Sequence, residues 1–273
     1  MINLIEEINK IFINRQIIWN LAVNQIKARY RYPMIGVMWS ILTPLFLSII
    51  FLIAFEIIIK VKIPGYHFLV YFLSGMFPWA YFNTSVLEAC NSIVQNSNLI
   101  KSIIFYRKNI PLSYILMNLI NFFCSIPILF IFFLIFKIKI SLYIIFLPFV
   151  LIIHTLFIMG IALIVSSLQV RIRDTRYILE VLLSAVFFLT PVFYPLNMIK
   201  EISSSFLKIY MFNPMASIIT LYRITLLGGY IKYLPSEISY FNLIFLPLII
   251  TFLLLYLGFF IFNKLEPSFA DFV

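Results

Sequence analysis

Hydrophobic and polar positions divide this chain into two kinds of segment. From Ile8 to about Arg29 the apolar residues Ile8, Ile11, Phe12, Trp19, Val23 and Ile26 recur at helical intervals, interrupted by Lys10, Arg15 and Lys27, the pattern of a helix with one apolar and one wet face. Such a helix lies in a membrane interface, its apolar side among headgroups, its basic side chains on anionic lipid and Trp19 at the boundary. Beyond it, polar positions nearly vanish over stretches long enough to cross ~30 Å of hydrocarbon, which takes about 20 residues at ~1.5 Å each. Six spans are predicted, over residues 37–59, 68–90, 112–136, 142–168, 178–196 and 240–262. The expected fold class is an all-α membrane protein of one domain, 1–273: an amphipathic interface helix in 1–36, six transmembrane helices in 37–262 and a tail in 263–273.

The connector 197–239 breaks the simple pattern. Phe206 to Leu227 is too apolar for a solvated loop, yet Asn213-Pro214 interrupts it and Gly228-Gly229 closes it. Two short helices dipping back into the outer membrane face are expected there. Pro191 and Pro195 end the fifth span just before it, since proline lacks the amide donor and clashes with the preceding turn. Non-helical backbone at that depth is tolerated only against protein or a water-filled cavity, which points to a pathway.

Charge orients the chain. With the N-terminus in the cytosol, connectors 91–111 (Lys101, Arg107, Lys108) and 169–177 (Arg171, Arg173, Arg176) are inside too, and twelve of the 20 basic residues fall on that side. The other eight include Lys60, Lys62, Lys137, Lys139 and four in 197–239. Basic residues favour the cytosolic side, so both termini are expected there. The first ~30 residues hold no cleavable signal pattern.

Composition narrows the chemistry. At 63% hydrophobic and 11% charged residues, the chain has more apolar surface than a soluble domain hides. Its net charge of +10 is spread over short connectors, so no nucleic acid is expected as a partner. Cys90 and Cys124 are isolated and show neither disulfide nor metal-ligand spacing, which implies no metal site. No G-x-x-x-x-G-K-[ST] loop occurs, so ATP would be handled by another subunit. His67 and His154 stand apart from any nucleophile or metal motif. Glu56 and Glu88 sit near span ends and Glu180 opens the fifth span, where the helix dipole stabilises a carboxylate; the scarcity of acids and histidines at mid-depth disfavours a proton relay and an enzyme.

The motifs, taken in order, carry a resemblance over nearly the whole chain. They are RYRYPMIGVMWSILTPL from Arg29, YFLSGMFPWAYF from Tyr71, NLIKSIIFYRKNIPLSY from Asn98, RIRDTRY from Arg171, TPVFYPLNMI from Thr190, YMFNPMASII from Tyr210 and NKLEPSFADFV from Asn263. The chain resembles the membrane subunit of ABC exporters for lipid-linked polysaccharides, the class of O-antigen, capsule and teichoic-acid permeases. The resemblance implies an interface helix, six spans, two re-entrant gate helices before the last span, and a homodimer enclosing a channel in the bacterial cytoplasmic (inner) membrane. It also implies two separate ABC ATPase subunits, which bind the ATP and Mg, no cofactor on this chain, and an undecaprenyl-linked glycan as substrate. Docking would use the basic connectors and the N-terminal segment, with Arg29, Lys101, Arg107, Arg171, Arg173, Asp174 and Arg176 as coupling residues. Two positions depart from the family pattern: Tyr106 stands where proline is common and Arg171 where an apolar residue is.

Aromatic residues make up 18% of the chain, with 31 Phe and 16 Tyr. Flat rings can slide along sugar C–H faces while tyrosine hydroxyls bond sugar hydroxyls. Phe77, Trp79, Tyr81 and Phe82, with Tyr194 and Tyr210, are the expected path residues, and Asn213 and Pro214 the expected break in the gate. Two other readings stand at this point: an ABC exporter of a small lipid or drug, and an integral-membrane acyl- or glycosyltransferase.

Overall fold

The computed structural model describes residues 4–29, 42, 45–47, 49–60, 63–102, 105–239 and 241–272. Much of the predicted first span and most of the motif beginning at Arg29 lie outside these residues.

The described chain is helical throughout, and its only strand-like pairing is a single bridge between Ile140 and Leu227. The helices are α1 (Leu4–Ile13), α2 (Arg15–Arg29), α3 (Leu52–Ile58, with wide π-type turns), α4 (Phe68–Gln95), α5 (Ser97–Ser102), α6 (Asn109–Ile135) and α7 (Leu147–Arg171). They continue with α8 (Thr175–Phe188), α9 (Leu196–Ile202), α10 (Ser204–Tyr210), α11 (Pro214–Leu226), α12 (Leu246–Leu265) and α13 (Phe269–Phe272). Prolines at the first turns of α7, α11 and α12 fit positions that have no amide bond to lose.

Among the described residues three helices are long and apolar enough to cross a membrane: Asn109–Ile135, Leu142–Arg171 and Phe241–Ser268. This is fewer than the six spans expected. Helix α4 has 28 residues, but Trp79, Asn83, Glu88 and Asn91 make it too polar to count by composition. The expected span 178–196 shortens to α8, whose 14 residues reach about 21 Å; the chain leaves the helix at Leu189 and Thr190, before Pro191, as its prolines require. The amphipathic N-terminal segment is two helices divided at Asn14, whose side-chain amide and backbone N–H both donate to the Lys10 carbonyl, at 2.8 and 3.0 Å.

Helix α4 lies at the centre, packed on α6, α7 and α8, with Val70, Phe72, Val86, Ala89 and Ile93 fully buried. Helices α7 and α12 approach most closely at Gly160 and Gly258. A Cβ on Gly258 would lie 2.6 Å from the Gly160 carbonyl oxygen, and one on Gly160 2.7 Å from the Leu254 backbone. Small residues bring membrane helices this close, so dispersion and backbone contacts replace the hydrophobic drive that lipid does not supply.

Helix α11 is buried nearly all round, from Met215 to Leu226, and its 13 residues reach only about 20 Å. The connector before it holds α9 and α10, so there are three short helices here where two were expected. A second core of Leu196, Ile199, Leu207, Tyr210, Met211, Ala216 and Leu243 seats α9 and α10 against α11. The end of α11 is tied to another connector: Ser141 N–H donates to the Leu226 carbonyl at 3.2 Å and Gly228 N–H to the Lys139 carbonyl at 2.8 Å. Tyr66 closes the clasp, donating to the Gly228 carbonyl at 2.9 Å; burial, with Tyr233 and Tyr230 beside it, pushes its hydroxyl up to about 12.

Candidate functional site

Arg223, on the inner face of α11, is fully buried, and no carboxylate pairs with it among the described residues. Its guanidinium donates to the Tyr71 hydroxyl at 2.7 Å, the Pro191 carbonyl at 2.5 Å and the Val192 carbonyl at 2.7 Å. It also lies 3.6 Å from the centroid of the Tyr71 ring. Carbonyl dipoles and a ring face thus take the place of an anion, as a buried charge requires. Gly75 makes the space, since a Cβ there would meet the Arg223 Nη2 at 2.7 Å and the Val192 carbonyl oxygen at 3.2 Å. Sequence reasoning counted Arg223 only as one of four basic residues in an outer connector. The signal was a lone arginine inside the apolar run MASIITLYRITLL.

The same seam gathers four of the expected gate residues. The Tyr71 hydroxyl donates to the Tyr194 carbonyl at 3.0 Å. The hydroxyls of Tyr194 and Tyr210 are 2.9 Å apart, and Tyr194 donates to the Phe188 carbonyl at 2.8 Å. Asn213 caps α11 by accepting from Met215 N–H at 3.0 Å, while its amide donates to Thr190 Oγ1 and the Leu189 carbonyl, each at 3.0 Å. Pro214 follows as the first residue of the helix. The start of α11 is therefore fastened to the end of α8 by Asn213, and its middle to the turn after α8 by Arg223.

Phe77, Trp79, Tyr81 and Phe82 were expected on the path; the structure places them in the protomer core, 3–4% exposed. Trp79 meets Phe82 and Phe187, each at 5.4 Å between ring centroids. Tyr81 packs on His154 at 5.1 Å and Phe122 at 5.5 Å, and Phe82 on Phe157 at 5.6 Å. These rings join α4 to α6, α7 and α8, because a helix central to a bundle buries its large side chains on neighbours.

At the opposite end, a buried cation fastens three distant segments. Lys108, 1% exposed, lies 3.3 Å from Glu7 and 3.6 Å from Glu266. Its ammonium is over the rings of Tyr106, at 4.4 Å, and Phe262, at 5.3 Å. Tyr106 donates to Glu7, Asn263 donates to Glu7 at 3.3 Å, and Arg107 donates to the Glu266 carbonyl at 2.7 Å. Burial opposes ionisation of Glu7, but the Tyr106 hydroxyl and Lys108 outweigh it and hold the carboxyl below its ordinary value. Burial, reinforced by the Glu7 hydrogen bond, raises the Tyr106 hydroxyl. So Tyr106, one of the two departures from the family pattern, fills a structural role. Arg171, the other, donates to Ser268 Oγ at 3.1 Å and lies 5.7 Å from the Phe272 ring.

The remaining coupling candidates divide. Lys101, Arg171, Arg173, Asp174 and Arg176 are exposed, on α5 and on the turn between α7 and α8, with the tail helix α13 packed against both α5 and α7. Gln169 shapes that turn, donating to the Arg173 carbonyl at 3.0 Å and accepting from Arg176 N–H at 2.9 Å. Arg176 pairs with Glu180 at 3.0 Å. Arg29 is elsewhere: it binds Glu88 and reaches Asn118 at 3.5 Å, fixing α2 to α4 and α6. It therefore fastens α2 to its neighbours, with Glu88 as its partner.

Comparison with known proteins adds an independent line. The family profile described as ABC-2 type transporter matches residues 16–227. The chain is 32% identical to an O-antigen export system permease protein RfbA of Klebsiella pneumoniae over 247 residues, 90% of each chain. It is 29% identical to the RfbA of Myxococcus xanthus over 223 residues, 82% of this chain and 84% of that protein. It is 26% identical to the polysialic acid transport protein KpsM of Escherichia coli over 217 residues, 78% of this chain and 81% of KpsM.

Proposed function

The chain belongs to the ABC-2 type transporter family and is the permease subunit of a polysaccharide exporter; from that premise we propose how it works. Two copies enclose a channel in the bacterial cytoplasmic membrane, each with six spans and both termini in the cytosol. Two separate ABC ATPase subunits, carrying the ATP and Mg, dock on the face of α5, the α7–α8 turn and the tail. An undecaprenyl-linked glycan crosses, and α9–α11 form the re-entrant gate on the outer side.

The observation that supports this reading best is the seam of Arg223, Asn213 and Tyr194. A helix too short to span is buried at one end of the bundle, and polar bonds to a single turn, Leu189–Val192, fasten it there. Such bonds break and re-form as a unit, which a gate with two discrete positions needs. The aromatics of α4 then serve as the rigid wall behind the gate, and Tyr194 and Tyr210 as its edge.

The test locks the seam. Thr190→Cys and Asn213→Cys, in a chain without Cys90 and Cys124, are oxidised in cells that lack their own permease but make a lipid-linked glycan. Glycan should accumulate inside while the disulfide stands and appear outside after reduction. Undiminished export with the link complete rejects the gate.

A further inference from the structure

On the side of the bundle away from the gate, α1 and α2 do not close fully against α6 and α7. An apolar groove of about 250 Å³ remains, walled by Phe12, Ile18, Leu116, Leu119 and Met159, with Arg15 at its edge. The volume is just below the ~300–1,000 Å³ of drug-sized sites, too small for an oligosaccharide and suited to one hydrocarbon chain. The groove is oriented along the bundle. Glu7 pairs with Lys108 at the start of α6, which sets the level of α1. Above that level the α6 wall runs from Leu112 to Leu119, about 10 Å, and Thr155 and Met159 line it from α7. That length is about a third of the ~30 Å hydrocarbon core. At the upper end Thr155 is satisfied, by the Leu151 carbonyl at 2.8 Å and the Tyr81 hydroxyl at 3.2 Å, so no polar group there repels a chain.

One cation lining the groove has no anion among the described residues. Of the basic residues on α1 and α2, Lys10 is paired with Glu7 and Arg29 with Glu88, and Lys27 does not line the groove. Arg15 is exposed and forms no ion pair among the described residues. Arg15 is the first residue of α2, just past the Asn14 break. Trp19 is 51% exposed nearby, and Phe12 lines the groove while remaining 63% exposed, as suits a helix among headgroups.

We infer that this groove binds an anionic phospholipid of the leaflet that holds the interface helix, one acyl chain along α6 and α7 and the phosphate on Arg15. A guanidinium is always charged and presents a fork that matches phosphate oxygens. The lipid completes the packing of α2 on α6 and α7 and makes the seating of the interface helix depend on the charge of that leaflet. Bulk phospholipid is the occupant favoured here, because the groove opens on the α6–α7 flank and not toward the α8–α11 seam where a substrate would pass.

The test is native mass spectrometry of the full chain released from phosphatidylcholine nanodiscs, with phosphatidylglycerol or phosphatidylcholine titrated in. Wild type and Arg15→Lys should retain phosphatidylglycerol over phosphatidylcholine. Arg15→Gln should lose about fivefold of that preference, the equivalent of the ~1 kcal/mol that one basic residue contributes at an anionic surface. Leu116→Trp, which fills the groove and leaves Arg15 in place, should lose retention as well. A thermal midpoint in detergent checks its fold, and if it is unfolded the Arg15→Gln comparison decides. Equal retention of the two lipids, or no change in Arg15→Gln, overturns the inference. Displacement of phosphatidylglycerol by an equal amount of a polyprenyl diphosphate, dependent on Arg15, overturns it too and assigns the groove to substrate.

Discussion

Arg223 and Tyr71, 152 residues apart in the chain, meet face to ring in the core, the guanidinium 3.6 Å from the ring centroid and bonded at 2.7 Å to the same tyrosine's hydroxyl. This contact joins α11 to the start of α4, and the same guanidinium reaches the carbonyls that follow α8. Three elements of the bundle therefore share one side chain.

Arg223→Lys should show how much the fork matters. An ammonium cannot reach Tyr71, Pro191 and Val192 together, so at least one buried acceptor is left unmade at about 1–3 kcal/mol. The expected result is a subunit that inserts normally, melts lower in detergent, and exports little glycan. Full export by Arg223→Lys would reduce the residue to a space filler.

Gly75→Ala probes the same seam from the other side. The added methyl would stand 2.7 Å from Arg223 Nη2, and overpacking of this kind costs about 1–3 kcal/mol. The variant should share the export defect of Arg223→Lys, and the double variant should be no worse than either single one, since coupled residues are not additive.

At the opposite end of the bundle, Lys108→Met should destabilise the chain by about 3–5 kcal/mol, because it leaves the buried Glu7 and the partly buried Glu266 without their shared cation. The same clasp has a pH dependence whose sign follows from Glu7. Its carboxyl is held below the ordinary value of 4.5 in the folded chain. The stabilisation is then present above pH 4.5 and lost as pH falls through the lowered folded value. Thermal unfolding in detergent should show an acid-side loss that Glu7→Gln abolishes, and an unchanged profile in Glu7→Gln would reject the assignment.

Asp174 is exposed and forms no ion pair among the described residues. Asp174→Ala should leave stability within about 0.5 kcal/mol. Pull-down of the partner ATPase, or coupling of ATP hydrolysis to export, should fall. Unchanged complex yield and export would leave the charged turn as an orientation signal alone.

The proposed orientation is read by labelling. Single cysteines at Lys101 and Ser203, in a chain lacking Cys90 and Cys124, should react with an impermeant thiol reagent from opposite sides of the membrane. Reaction of both from one side rejects an outer α9–α11 and an inner α5.

Local pattern alone determined much of this protein. Long apolar runs, a charged amphipathic start, prolines at helix ends and Asn213-Pro214 as a helix boundary were all legible, because each depends on the chemistry of neighbouring residues. The ordered motifs carried the family for the same reason. Pattern could not tell how the aromatics are packed: Phe77, Trp79, Tyr81 and Phe82 read the same whether they line a surface or fill a core, and only the positions of α6, α7 and α8 around α4 show that they are buried within one chain. Nor could it show that Arg223 is buried against carbonyls and a ring, that Lys108 is held between two carboxylates, or that Arg29 pairs with Glu88. The fate of a charge is set by the carbonyls, rings and carboxylates that surround it, and these arrive from segments far away in the chain. Desolvation makes such a side chain costly until those partners are in place, so its role exists only in the packed structure.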